Sequence, residues 1–206
     1  MTQQVARGGG LLVFDPTASA RLPLVLQDAL AVANRHDDFF SLHLEQQASP
    51  EFPITSIFAN NQVGYVSLLP SPFGMQKRRA NAVLTDLANN MRETRQQQQG
   101  LPPTVPFLLV LPRLSTWLDP VWTPFFSQAR AFNIAILWQG DSITSAYKSG
   151  TFFANALMAN SRLKLFLKDS FGQDYPSPVQ GTELETEQAL MERAGTYQKI
   201  TLGQSG

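Results

Sequence analysis

Cysteine is absent from the 206 residues, and histidine occurs only twice, as His36 and His43. The first absence removes disulfides, thiolate nucleophiles and cysteine metal sites together. Two histidines without a Gly-x-Ser-x-Gly elbow give no basis for a Ser-His-Asp hydrolase and make a transition-metal site improbable. Net charge is missing too: 16 Lys and Arg balance 16 Asp and Glu. No global field therefore gathers nucleic acid, so DNA binding by the chain alone is not expected, although a local patch stays open. No run approaches the roughly 20 apolar residues of a membrane-spanning helix, and the expectation is a soluble, cytoplasmic chain. There is no GxxxxGK[ST] phosphate loop and no internal repeat.

What is present is enough apolar residue, 43% of the chain, for one domain with a sizeable core. The clearest organisation lies in residues 106–168. Three apolar runs, at 107–111, 134–138 and 163–167, are bounded by loop signals and separated by helix-length segments. That is the spacing of β-α-β units. The first two runs are apolar almost throughout, as in strands covered on both faces, whereas LKLFLK alternates and suits a strand nearer an edge.

In chain order, residues 1–10 read as a flexible leader, because Gly8, Gly9 and Gly10 come before a strand rather than after it. A strand at 11–14 ends in Asp15-Pro16, with Thr17 or Ser19 placed to cap a helix over 21–35. Asp15 is read as a turn residue at the rim of the sheet. Residues 39–44 and 63–69 read as further strands. Between them lies a loop around a short apolar piece at 54–58, and His43 is read as a surface or edge residue. A long amphipathic helix over 76–98 carries Ala80, Val83, Leu84, Leu87, Ala88 and Met91 on one face. Lys77, Arg78 and Arg79, with Arg92 and Arg95, make it the most basic segment. The plain reading is a solvated helix face, and the sharper one a contact with DNA or a partner. Residues 96–103 read as an internal linker loop. Beyond 168 a capping box, Thr182 with Glu185, predicts a helix over 183–194, and 197–202 a last strand.

The order Ala129, Arg130, Ile134, Gln139, Tyr147, Gly150, Ala159, Asn160 and Lys164 resembles the second half of the ATPase domain of type IV secretion coupling proteins. These motors link DNA to a conjugation channel. The resemblance reaches more weakly from Leu11 to Lys168. It implies a three-layer α/β fold, a mostly parallel sheet with helices on both faces, similar to the RecA-like P-loop NTPase domain but without its P-loop. Residues 11–206 would form that one domain. Members of the family carry a membrane anchor and a phosphate-binding loop, and neither is in this sequence. Either this is a relative that lost them or it is a fragment of a longer protein.

Hydrolysis in this fold needs phosphate-binding amides and a Lys, an Asp for magnesium and a carboxylate for the attacking water. The resemblance places the family's Asp-Glu pair where this chain has Pro112 and Arg113, which can neither bind magnesium nor activate water. The chain is therefore not expected to hydrolyse ATP alone, and no cofactor is expected; ATP with magnesium belongs only to the reading as a piece of an active ATPase. The resemblance also makes Gln139 a γ-phosphate sensor and Arg130 an arginine offered to a neighbouring subunit. The plain reading, favoured over this one, has Arg130 as a helix-end cation stabilised by the dipole and Gln139 as the close of a strand. Trp117, Trp122, Phe125 and Phe126 are core or subunit-interface aromatics. The expected function is a non-catalytic, coupling-protein-like component of a conjugative DNA transfer or type IV secretion system. Its partners would be other secretion or coupling subunits, in a homo- or hetero-oligomer. It would stay in the cytoplasm, reaching the inner membrane only through those partners. The alternatives are a piece of an active DNA-translocating or secretion assembly ATPase and an unrelated α/β scaffold.

Overall fold

The computed structural model describes residues 1–43, 53–68, 75–97, 105–113, 119, 122–140, 150–167, 188–193 and 195–201. They fall into two compact units, residues 1–139 and 140–206, across the span expected as one domain.

The first unit is built on a five-stranded sheet in the order β2-β3-β1-β4-β5, every neighbouring pair parallel. Its strands are β1 (Leu11–Asp15), β2 (Phe39–His43), β3 (Val63–Ser67), β4 (Phe107–Leu111) and β5 (Ile134–Trp138). The central strands are covered on both faces, with Leu11, Leu12, Val13 and Phe14 all buried, as are Leu109, Val110 and Leu111, while β2 and β5 are only partly covered. On one face Leu11, Val13, Val63, Tyr65 and Val110 pack with Leu26 and Leu30 of α2 (Arg21–Val32). The long helix α4 (Met75–Gln97) buries Ala80, Val83, Leu84 and Leu87, the 3,4-spaced stripe its sequence predicts. The result is a three-layer α/β arrangement with the architecture of RecA-like domains.

The first ten residues are structured rather than a flexible leader. Helix α1 (Thr2–Ala6) lays Val5, fully buried, against α2. The glycines end that helix. The Gly8 amide donates to the Val5 carbonyl and the Gly9 amide to the Gln4 carbonyl, both at 3.0 Å, with Gly8 at φ 76°. That pair of bonds around a left-handed glycine is a Schellman stop. Gly10 has a different reason: a Cβ there would stand 2.5 Å from the Phe107 ring and 2.8 Å from Asn61 Cα. Arg35 then closes this end of the unit, its guanidinium donating to the carbonyls of Val5, Gly9 and Asn61 and pairing with Asp38 at 2.7 Å. The apolar piece within the expected loop is a short helix, α3 (Ile54–Ala59), burying Ile54 and Ile57.

Between β4 and β5 lie α5 (Thr123–Gln128) and a 3-10 turn, Ala129–Phe132. The second unit contains α6 (Thr151–Asn160) and an antiparallel sheet, β6 (Leu163–Leu167), β7 (Gln188–Arg193) and β8 (Thr196–Thr201), in that order. Two expectations are corrected here. Residues 163–167 do not continue the parallel sheet; they pair antiparallel with β7. And 188–193, within the helix expected over 183–194, is a strand. Gln-Ala-Leu-Met-Glu-Arg has high helix propensity, but as a strand it pairs on both sides, buries Ala189 and Leu190, and sets Glu192 opposite Lys164. Tertiary pairing outweighs local preference.

Candidate functional site

In an open parallel sheet, ligands lodge outside the carboxyl ends of the strands where the strand order reverses. Here the reversal falls between β1 and β4, since β1 leads away to β2 and β4 to β5 on the other side. The carboxyl ends bring together Asp15, Ser67, His43, the Leu111-Pro112-Arg113 corner and Gln139.

Asp15 is 3% exposed and accepts four hydrogen bonds. The Thr17 amide (2.9 Å) and hydroxyl (2.6 Å) donate to Oδ1, and the Ser19 amide (2.7 Å) and Tyr65 hydroxyl (2.9 Å) donate to Oδ2. Burial by itself pushes the carboxyl up; the bonds from Thr17, Ser19 and Tyr65 outweigh it and hold Asp15 below the ordinary carboxylate value. Burial, and then the Asp15 charge, push the Tyr65 phenol far above its usual range. A carboxylate has about four lone-pair sites, and all are taken. Asp15 therefore locks the turn from β1 into α2, where the Ser19 hydroxyl accepts from the amides of Arg21 and Leu22, both at 3.3 Å. Of the two expected caps Ser19 performs the capping, while Thr17 serves Asp15. His43, exposed, meets the Tyr65 ring edge-on with centroids 6.2 Å apart.

At the neighbouring strand end, Pro112 is half-buried, and Arg113 is exposed at φ 48°. The Gln139 amide donates to the Leu111 carbonyl at 3.1 Å, carrying the ladder one residue past β5 and leaving the Gln139 side chain exposed. Among the described residues, Pro112 and Arg113 at the β4 end offer no side-chain oxygen for a magnesium nucleotide, Asp15 has no open lone pair, and no group of three potential metal ligands occurs.

Arg130 lies at the other edge of the sheet. Its carbonyl accepts from the Asn133 amide at 3.1 Å, and the Asn133 carbonyl accepts from the amide of Phe107, the first residue of β4, at 3.0 Å. Arg130 is exposed, and no described residue partners its side chain. Arg130 and Gln139 therefore stand before and after β5 and cannot serve one site within a chain.

The other expected residues separate as follows. Phe125 and Phe126 are buried within the chain and stack edge-on with centroids 6.0 Å apart. Trp122, half-buried, packs edge-on to Phe125 at 5.8 Å and donates its indole N–H to Asn81 of α4. Trp117 and Tyr147 lie outside the described residues. Lys77, Arg78 and Arg79 occupy the start of α4 with no acidic residue in its first turn; Arg78 is exposed and Arg79 half-buried. Gly150 has φ 147°, a value that disfavours any side chain, and its carbonyl accepts from Ala154 to open α6. Lys164 pairs with Glu192 at 2.8 Å, the two side chains 14% and 11% exposed. Sequence reasoning missed Glu192 and Tyr65, whose partners are 28 and 50 residues away; Thr17 and Ser19, two and four residues past Asp15, were legible as turn partners.

No helix among the described residues is long and apolar enough to cross a membrane. No family model and no curated protein matches the sequence. Among solved structures, the bacterial conjugative coupling protein TrwBdeltaN70, in its unbound monoclinic form, is similar, with a TM-score of 0.54 and 14% identity over 75% of this chain and 44% of that one. The cytoplasmic domain of EssC is a looser match, with a TM-score of 0.38 and 12% identity over 93% of this chain and 39% of that one. The chain thus spans less than half the length of these structures. What the first similarity shows is the fold alone: the mostly parallel, three-layer α/β arrangement is shared with part of that conjugative coupling protein.

Proposed function

We propose that the chain is a non-catalytic, coupling-protein-like component of a conjugative or type IV secretion apparatus that acts through contacts with other subunits. The observation that carries this reading is the carboxyl end of β4. There the resemblance to coupling proteins puts magnesium and water chemistry, and this chain turns through Pro112 and Arg113, the latter at φ 48°. The closed hydrogen bonding of Asp15 supports the same reading, because the nearest buried carboxylate is committed to a turn.

Arg130, exposed at the amino edge and with no side-chain partner among the described residues, then has a role open to it in trans. A guanidinium reaching a neighbour's nucleotide stabilises transition-state charge without its own chain holding ATP. Gln139 and the Lys77-Arg78-Arg79 cluster are secondary contact positions in this reading.

Titration calorimetry with ATP and magnesium on the chain as given is the first test. The expected result is no binding heat. Saturable binding would overturn the reading and bring forward the alternative, a piece of an active ATPase. The second test adds the chain to a purified coupling ATPase: stimulation by the native chain, abolished in Arg130→Ala, is expected, and equal rates with both would remove Arg130 from the proposal.

A further inference from the structure

Helix α2 is apolar on two sides. Leu26 and Leu30 face the sheet and are buried, yet Leu24, Val25 and Val32 are 59%, 36% and 86% exposed. At about 100° per residue, Leu24, Asp28, Arg21, Val32 and Val25 fall in that order within a sector roughly 100° wide, opposite the buried pair. Arg21 and Asp28 are both exposed, and neither has a side-chain ion pair among the described residues. Two turns, about 10 Å of helix rise, keep them from pairing with each other.

The arrangement has a symmetry. Arg21 and Asp28 stand equidistant from the midpoint of the Leu24–Val25 pair and carry opposite charges. A stripe with that pattern is complementary to itself when turned end for end. We propose that this face of α2 is a two-fold interface with a second copy of the chain. Antiparallel α2 helices cross at Leu24 and Val25, and Arg21 of each copy meets Asp28 of the partner subunit. A parallel crossing would set Arg21 against Arg21 and Asp28 against Asp28, which costs rather than stabilises. The contact is isologous and closes at a dimer, so no helical growth follows. Apolar burial supplies the attraction, and the two charge pairs fix register and direction.

One helix face is smaller than the roughly 800 Å2 per partner of a standard interface, so the dimer is a weak one. Sedimentation velocity on the full chain, over a concentration series reaching about 1 mM to populate so small an interface, reads it directly. The native chain is expected to move from monomer to dimer across the series. Arg21→Asp and Asp28→Arg, each placing two like-charge pairs in the contact, should each weaken the dimer by roughly tenfold or more. The double variant Arg21→Asp/Asp28→Arg exchanges the partners and should restore it. Leu24→Lys should abolish it while the thermal midpoint stays near native, since Leu24 is largely exposed in the monomer. A native chain that stays monomeric throughout overturns the proposal. So does a dimer indifferent to the single variants, or one that they weaken and the double variant does not recover.

Discussion

The Tyr65 hydroxyl donates to the buried Asp15 carboxylate at 2.9 Å, across the adjacent central strands β3 and β1. It is the one member of the Asp15 shell that comes from another strand, so it ties the turn into α2 to the middle of the sheet. Replacing Tyr65 by Phe should lower stability at neutral pH by about 1.5–3 kcal/mol, the range for a hydrogen bond to a charged group. The pH dependence follows from the shifts. Asp15 is held low in the folded chain, so its contribution is complete above roughly pH 4, where the unfolded carboxyl is ionised, and is lost as pH falls through the lower native value. Without Tyr65 the native value rises toward the unfolded one, so the acid loss should be smaller and should be complete at higher pH. Tyr65 is raised, so its own contribution is present below roughly pH 10 and is lost as pH climbs toward the native value. The Phe variant should lack that alkaline phase. Urea melts across the pH range, on both chains, measure each limb.

Arg35 binds three segments at once, through the Val5, Gly9 and Asn61 carbonyls, and is oriented by Asp38. Arg35→Ala should cost about 2–4 kcal/mol, because carbonyls in part-buried positions lose a charged donor. Lysine should recover little of it, having no planar fork to span several acceptors. Hydrogen exchange should then show faster opening of α1 and the Gly8–Gly10 stretch than of β1.

The parallel sheet was legible because the strands at its centre, β1 and β4, are apolar almost throughout and the runs are spaced by helix-length segments; Phe107–Leu111 and Ile134–Trp138 fall where the runs stood. The long helix was legible from the spacing of Ala80, Val83, Leu84 and Leu87. Other parts were decided by distant partners. Gln188–Arg193 is a strand because Lys164 and the neighbouring strands are there, and nothing in Gln-Ala-Leu-Met-Glu-Arg itself says so. Gly195, at φ 80° between β7 and β8, was a local hint of a hairpin that the capping box obscured. Gly8 stops a helix and Gly10 admits a ring, roles set by Val5, Phe107 and Asn61 rather than by the glycine run itself. The separation of Arg130 and Gln139 could have been read directly, since two residues flanking one strand must lie at opposite edges of a sheet.

The glycines separate two physical costs. Gly8→Ala meets open space, so only the positive φ opposes it, and the loss should be about 1 kcal/mol. Gly10→Ala has no such torsional problem, but its Cβ would press on Phe107, 3% exposed, and on backbone at Asn61. With neither neighbour free to move, about 2–3 kcal/mol is expected, as for an overpacked core. Thermal melts of the two variants should rank them in that order; the reverse order would mean that the amino end of β4 yields more readily than its burial implies.

Lys164 and Glu192 offer the sharpest test of the β6–β7 register. They stand directly opposite each other, joined at 2.8 Å, with Tyr197 of β8 opposite Glu192 on its other side. Burial, and then the Glu192 charge, raise the Tyr197 phenol. Lys164→Ala leaves a mostly buried carboxylate without its cation and should cost roughly 3 kcal/mol. Glu192→Ala should cost a similar amount, and the double variant should cost less than their sum by about 1–3 kcal/mol, because the second deletion removes the charge that the first strands. Had 188–193 been a helix, the two residues would share no contact and the losses would add. Tyr197 supplies a second reading of the same geometry. In Glu192→Gln its phenol should titrate closer to the ordinary value, through loss of the charge with burial unchanged, whereas a β7 shifted by one residue would turn Glu192 to the other face and leave Tyr197 untouched. Ultraviolet titration of Glu192→Gln against the native chain decides between the two.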